Sequence, residues 1–506
     1  MRRRVRTRYA PSPTGFQHIG GIRTAIINYL VAKKLGGEFL LRIEDTDSNR
    51  YVEEAEDYIL QALKWLDISF SEGPDIGGNY GPYRQSERLH IYKKYAKKLV
   101  NLGKAYYAFD SKEELDFQRN LARRNSNEFL YNYASRKRFK NSYTLSKKEI
   151  EQNLKHGNPY VIRLAVPENM RINFPDEIRG NISVHTSQLE DKILLKSDGS
   201  ATYHLASVVD DTLMEITHVI RGEEWLPSAP IHHYLYEAFG WQNTKPKFAH
   251  LPLILNPNGK GKLSKRKLKD AHIPIFPLSW TNSDGTVVNG MKEAGFLPDA
   301  VLNILVLLGW HESSDREIYS RQELFNSFDF KYIQKSGAKF DFQKAKWINS
   351  KHIGLNNDTA IAEMFLELKG VNKTEINHSR LVKTITIVKD RITTLKDIQQ
   401  YESLYSKNVL VVPTCTRTEF EVKLLITLYK RFFRLENWDK ISIGSEVNLL
   451  KSEWNEHPRN FYELLRSVFF GKKEGPNVVD MIEVLGKTES LRRIKVSAKE
   501  EVARKN

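Results

Sequence analysis

The sequence predicts an α/β fold, a parallel sheet interrupted by an α+β insertion, followed by an all-α C-terminal region. Three observations carry this: a strand–turn–helix unit at the start, an apolar strand directly after it, and a 3.6-residue apolar period without strand alternation in the last third. At 506 residues the chain is long enough for several cores.

The first unit is Thr7-Arg8-Tyr9-Ala10-Pro11-Ser12-Pro13-Thr14-Gly15-Phe16-Gln17-His18-Ile19-Gly20-Gly21, a strand end passing through a Pro/Gly turn into a helix over 22–35. Ile22, Ala25, Ile26, Tyr29, Leu30 and Ala32 recur at the spacing of a helix laid on a sheet. Such a turn makes an anion site if unpaired backbone N–H groups and the positive dipole end converge there, and phosphate is the natural guest. Gly20 and Gly21 would let backbone approach a nucleotide, with His18 donating to a phosphate oxygen. Taken alone, a structural turn explains the same residues.

Gly36-Gly37 closes the helix and Glu38 to Ile43 reads as a buried parallel strand. Acids at the carboxyl end of such a strand face a ligand crevice, so Glu44 suits an ammonium group or ribose hydroxyls. Asp45, Thr46 and Asp47 fit a solvated turn or helix cap equally well. Residues 52–66 form an amphipathic helix with Tyr58, Ile59, Ala62, Leu63 and Leu66 inward, and a Gly-rich loop from Gly73 leads to a basic helix over 86–102.

From 104 to 190 the pattern changes to an insertion, with Tyr106, Tyr107, Phe109, Phe129, Tyr131 and Tyr133 among Arg119, Arg123, Arg124, Arg136, Lys137 and Arg138. This mixture suits a single-stranded RNA end, and it suits a small module with its own aromatic core. The sheet pattern returns over Ala201 to Asp211 and Ile216 to Leu226, where polar residues end β-branched runs. Arg221 at a strand end could grip a carboxylate with its planar fork, or pair with Glu223 or Glu224. The loop His250 to Arg266 sets lysines among small residues, suited to closing over a triphosphate or simply to solvent. Ala300 to Trp310 is a core helix, and the helices at 419–433 and 459–469 carry apolar stripes with basic residues opposite.

Lys+Arg number 78 against 62 Asp+Glu, a net charge of +16, which favours a polyanionic partner such as nucleic acid, although a diffuse Lys excess also solvates a surface. The one cysteine, Cys415, excludes an internal disulfide and any multi-thiolate metal centre. The apolar stretches are too short to cross a bilayer. Arg2-Arg3-Arg4 leaves no room for a removable peptide before Thr7. A cytoplasmic location is expected.

With both ends in view the sequence resembles the glutamyl-tRNA synthetases, class I enzymes with a Rossmann-type catalytic domain. His18-Ile19-Gly20-Gly21 matches the family's first signature, and Lys262-Leu263-Ser264-Lys265-Arg266 its second. Arg8 to Gly15, Arg42 to Asp47, Gly81 to Arg88, Tyr203 to Asp211 and Ile220 to Leu226 stand between them in family order. The resemblance implies a catalytic domain over 1–103 and 191–260, an acceptor-end-binding insertion over 104–190, a signature loop and stem-contact domain over 261–340, and an α-helical anticodon-binding domain over 341–506. It implies that His18 and Lys265 stabilise charge on ATP, with Gly20, Gly21, Glu224, Leu253, Ile254, Lys262 and Ser264 also at the nucleotide. The glutamate pocket falls on Arg8, Ala10, Ser12, Glu44, Tyr203, Ser207 and Arg221.

Implied partners are L-glutamate, ATP with Mg²⁺, tRNA(Glu) and, as a second candidate, tRNA(Gln), acting on a monomer through a glutamyl-adenylate. Arg221 would read the side-chain carboxylate and Glu44 the α-ammonium. Three departures stand out. Ser207 replaces a common Asn, the insertion lacks the cysteines of members that hold zinc, so no zinc is expected, and 272–289 is longer than the family pattern. A glutaminyl enzyme would end in β-barrels, which the last third does not suggest. A catalytically dead RNA-binding protein would have no use for His18, Lys265, Glu44 and Arg221 together.

Overall fold

The structure is a computed structural model describing residues 3–126, 128–256, 261, 273–282, 284–313, 315–368, 370–407, 417–454 and 458–499. It divides into two compact units, one of residues 1–280 and 302–341, the other of 281–301 and 342–506. Among the described residues no helix is long and apolar enough to cross a membrane.

The first unit is built on β1 (Arg6–Tyr9), α1 (Ile19–Lys34) and β2 (Glu38–Leu41), with α2 (Glu53–Trp65) and α3 (Leu89–Asn101) following. Side chains along β1 alternate between faces. Thr7 donates to the Asn28 carbonyl in α1, whereas Arg6 and Arg8 turn the other way, Arg6 to the Met214 carbonyl and Arg8 to Asp211. Helices therefore cover both faces, which a fully parallel sheet requires.

The insertion contributes β3 (Ala105–Ala108), α4 (Lys112–Arg124), α5 (Lys147–Lys155), β4 (Val161–Leu164), the hairpin β5 (Arg171–Asp176) and β6 (Gly180–His185), and β7 (Ile193–Leu195). Strands β3, β4 and β7 form one antiparallel sheet. Its aromatic and basic residues split between the two sequence readings. Tyr106 and Tyr131 are core, and Arg136 is buried against Asp191 and lies over the Tyr143 ring. Arg119, Arg123, Arg124 and Phe117 on α4 are exposed.

Next come α6 (Tyr203–Leu213), β8 (His218–Gly222), α7 (Ala229–Ala238), β9 (Lys247–Leu251) and the short β10 (Ile254–Leu255). The strand pattern expected over Ala201 to Asp211 is instead the helix α6. Its Leu205, Ala206, Val208 and Val209 are all buried in the core shared with α3 and α7, and that packing overrides the β preference of the paired valines. The main sheet runs β2-β1-β8-β9, all parallel. The chain leaves β1 for β2 on one side and returns to β8 on the other, so a crevice opens at the carboxyl ends of β1 and β8.

In the second unit Thr418 caps the helix Glu419–Arg434, whose Leu424, Leu425, Leu428 and Phe432 face inward at the expected period. They join residues of Asp358–Leu366, His378–Val388, Pro458–Phe469 and Val478–Lys499 in one helical core. Gly486, at φ 78°, interrupts the last of these.

The hairpin β5–β6 meets α7 through Phe174, stacked on His233 with ring centroids 4.3 Å apart. Neither His233 ring nitrogen has a hydrogen-bond partner, and burial depresses it from 6.5 to about 3. Below about pH 6.5 the unfolded chain binds a proton that the folded chain refuses, so stability is lost as pH falls toward 3. His233→Phe keeps the stack and removes the proton site. Its gain in stability over the parent should be about 2 kcal/mol larger at pH 5 than at pH 7.5 in paired thermal melts; equal gains would show that His233 is not the group refusing the proton.

Candidate active site

A cavity of about 400 Å³ occupies the crevice, lined from β1 and its turn by Arg8, Tyr9, Ala10, Pro11, Ser12 and Thr14, and from α1 by His18, Gly20, Gly21, Arg23 and Thr24. Glu44 after β2, Tyr203 at the start of α6, Arg221, Gly222, Glu224 and Trp225 at and after the end of β8, and Leu251 to Ile254 from the end of β9 onward also line it. Of the residues expected at the site, Arg8, Ala10, Ser12, His18, Gly20, Gly21, Glu44, Tyr203, Arg221, Glu224, Leu253 and Ile254 all converge there. Ser207 does not line the cavity. It is buried in α6, one helical turn beyond Tyr203, with its hydroxyl unpartnered. Lys262, Ser264 and Lys265 lie outside the described residues.

The start of α1 differs from the simplest anion site. The Ile19 N–H donates to the Ile275 carbonyl, that of Gly20 to His18 Nδ1, and those of Gly21 and Ile22 to the His18 carbonyl. The first-turn donors are thus used inside the protein, leaving the helix dipole and the imidazole as the positive features. Accepting from Gly20 puts the His18 proton on Nε2. A Cβ on residue 20 would stand 2.5 Å from His18 Cε1, so glycine here makes room for the ring. The unexplained segment after residue 272 has a place too. Ile275 meets α1, Leu278 exchanges hydrogen bonds with the Tyr58 hydroxyl, and Trp280 stacks on Phe16.

Below the cavity lies a network that sequence reasoning missed. Arg42, with no exposed surface, donates to Asp211 at 2.8 Å and to Glu44 at 3.0 Å. Arg8 meets both Asp211 oxygens at 2.9 and 3.3 Å, and Arg88 donates to Asp210 at 2.7 Å beside Tyr92 and Gln85. Burial would raise the Asp211 carboxyl, but Arg8 and Arg42 hold it below the usual range. Glu44, at the network's edge, is instead raised by burial against the pull of Arg42 and Arg8. A carboxylate left under-compensated beside a cavity gains from a second cation such as an ammonium. The available signal was a charge inside an apolar run, Arg42 after Phe39-Leu40-Leu41 and Asp210-Asp211 after Val208-Val209, since a buried charge needs its opposite.

Arg221 has a different environment. Nε donates to His250 Nε2 at 3.0 Å, Nη1 to the Tyr203 hydroxyl at 2.7 Å and to His232 Nδ1 at 3.1 Å, and Nη2 to the Trp225 carbonyl at 3.4 Å. None of these partners is an acid. Glu223, one of the two alternative partners expected for Arg221, pairs with Arg179 and accepts the Leu253 N–H. Nη2 retains an N–H beyond its bond to Trp225, and Tyr203, having accepted, keeps its own proton to donate. Together they can meet two oxygens of a carboxylate, although the Nε hydrogen and both Nη1 hydrogens are already used. Arg23, also at the cavity, is buried, lowered by burial to about 10, and donates to the Pro252 carbonyl at 2.7 Å, which fixes the backbone leading to Leu253 and Ile254.

A sequence profile described as "tRNA synthetases class I (E and Q), catalytic domain" matches residues 4–347, and one described as "Anticodon binding domain" matches 360–498. The glutamate–tRNA ligases of Phocaeicola vulgatus and Bacteroides fragilis are each 44% identical to the chain over 508 residues, covering 97% of it and 98% of each relative. A crystal structure of a glutamate–tRNA ligase from Elizabethkingia meningosepticum in complex with its amino acid superposes with a TM-score of 0.90 at 40% identity, covering 98% of this chain and 100% of that one. The corresponding enzyme from Elizabethkingia anophelis gives 0.85 at 40% identity, with the same coverage. A parallel sheet with a crevice at its switch point, an inserted module and a helical C-terminal unit agree with these matches, and the chain belongs to the glutamate–tRNA ligases of the class I tRNA synthetases.

Proposed function

We propose that the chain joins L-glutamate to the 3′ end of tRNA(Glu) in two steps at this cavity. In the first, an α-carboxylate oxygen of glutamate attacks the α-phosphorus of ATP and the bond to pyrophosphate breaks. In the second, a hydroxyl of the tRNA's terminal ribose attacks the glutamyl carbonyl and AMP departs, the hydroxyl proton passing to a phosphate oxygen or to water. No protein nucleophile is needed, so the residues contribute position and charge.

The observation that carries this reading is Arg221, a guanidinium 5% exposed, lining the cavity with only neutral partners. An anionic side-chain carboxylate completes it, whereas the amide of glutamine offers no charge and turns an N–H₂ donor toward a donor. Glu44 takes the α-ammonium, with Arg8, Ala10 and Ser12 forming the wall beside it. His18 Nε2–H and Lys265 stabilise the charge that develops on the phosphates, with Lys262 and Ser264 close to Lys265 in the sequence. Gly20, Gly21, Glu224, Leu253 and Ile254 receive the rest of the nucleotide. Mg²⁺ is assigned to the nucleotide's phosphates, and the insertion, which has no cysteine, is read as zinc-free, with the Asp191 network at its centre. Exposed α4 is the part of the insertion suited to the tRNA end, and the helical unit is assigned to the anticodon.

Arg221→Ala should lower kcat/KM for glutamate by about two to three orders of magnitude in an aminoacylation assay, with the thermal midpoint confirming that the variant folds. Normal glutamate kinetics would refute the pocket assignment. Lys265→Ala should lower the activation rate in pyrophosphate exchange, run with tRNA present, far more than it raises the KM for ATP; an unchanged rate would remove Lys265 from the mechanism. Transcripts of both tRNAs should be charged in parallel, and glutamylation confined to tRNA(Gln) would overturn the proposed acceptor.

A further inference from the structure

The partners of Arg221 form a chain that reaches out of the sheet in two directions. On one side, His250 is the register partner of Arg221 across β8 and β9, so their side chains share a face. His250 Nδ1 lies 2.6 Å from Asp176 Oδ2, and Asp176 is the last residue of β5, in the insertion's hairpin. Asp176 is itself held by N–H groups of Ile178 and Arg179 on Oδ1. On the other side, His232 of α7 touches Arg221 through Nδ1 and His204 of α6 through Nε2, at 3.1 and 3.2 Å.

The donors determine every proton in this chain. A guanidinium only donates, so His250 Nε2 and His232 Nδ1 must accept. His250 therefore carries its proton on Nδ1, directed at Asp176, and His232 carries its own on Nε2, directed at His204 Nδ1. Each histidine has one tautomer compatible with Arg221, and each tautomer is held by a second residue. Burial keeps the imidazoles neutral: it depresses His250 and His232, and His204 to about 4. Burial alone would raise Asp176, but the bonds from His250 and from backbone N–H groups hold it ionised. The guanidinium thus sits between aligned neutral acceptors, with the counter-charge one imidazole away.

We propose that the Asp176–His250 pair and the His232–His204 pair are positioning elements that aim Arg221 at the substrate's side-chain carboxylate while leaving its charge unmatched, so that glutamate specificity is set in part from the insertion hairpin. A direct acid on Nε would hold the guanidinium as firmly but would neutralise it in advance, weakening its hold on an incoming anion. An imidazole relay fixes the geometry and leaves the charge for the ligand. The inference rests on the reading of Arg221 given above.

The test compares His250→Leu, His250→Gln and His232→Leu in steady-state aminoacylation, with glutamate and ATP varied separately. Leu removes the acceptor at either position, whereas Gln at 250 can return an amide oxygen near the place of Nε2. Both Leu variants should raise the KM for glutamate about ten- to a hundredfold, the worth of a hydrogen bond to a charged group. The KM for ATP should stay within about twofold, and His250→Gln should recover most of the loss. Asp176→Asn, which keeps an acceptor oxygen but not the charge, gives a milder rise and serves if the Leu variants fail to fold. Folded Leu variants with parent-like glutamate KM, or losses shared equally by glutamate and ATP, overturn the proposal. Arg221→Ala run alongside separates the two failures: if it too leaves glutamate binding intact, the pocket reading falls with the relay, and if it alone abolishes binding, only the relay does.

Discussion

The constraint on which the site depends is the burial of Arg42. A guanidinium removed from water is tolerable only with close anions in good geometry. Asp211 and Glu44 supply them, with Asp210 at 3.9 Å. Because Arg42 follows β2, Arg8 lies on β1 and Asp210 and Asp211 on α6, satisfying the charges aligns two strands with the helix that covers them. Arg88, ahead of α3, closes the set from the far side. Arg8, Arg42 and Arg88 balance Glu44, Asp210 and Asp211. Removing any one would leave an uncompensated buried charge, at a cost of about 3–5 kcal/mol.

This balance also explains why two cavity arginines differ. Arg8 already shares Asp211 in a two-oxygen contact, so a ligand anion meets a cation that is largely neutralised. Arg221 meets a phenol, two imidazoles and a carbonyl. Arg221 is therefore an under-compensated cation at the cavity, and Glu44, through its raised carboxyl, an under-compensated acid. A molecule with an anionic end and a cationic end matches that polarity.

Most of the architecture was legible because it rests on local signals. The period-3.6 stripe of α1, the apolar run of β2 and the helical last third need no knowledge of partners, and the strand end at Arg221 follows from β-branched residues closing on a charge. What could not be read depended on tertiary context. The stretch from Tyr203 to Leu213 carries valines that favour a strand, and only the apolar faces of α3 and α7 make it a helix. The N–H groups of α1 looked unpaired until the distant Ile275 carbonyl took one of them. Tyr106, Tyr131 and Arg136 have the composition of an RNA surface, and only the fold turns them inward.

The same distinction bears on how specificity is built. Residues that line the cavity stand at the ends of elements: Glu44 and Arg221 stood out as charges closing apolar runs, whereas Arg8 and Tyr203 came from the family resemblance. Residues that aim them have no such mark. His250 reads as the start of a basic loop, His232 as one of two adjacent histidines in a helix, and Asp176 as a turn acid. Each gains meaning only when β9, α7 and the insertion hairpin meet around one guanidinium. A pocket of this kind can therefore keep every contact residue and still lose discrimination through a change in the hairpin, because aiming a fixed charge within a few tenths of an ångström depends on the second layer of hydrogen bonds as much as on the first.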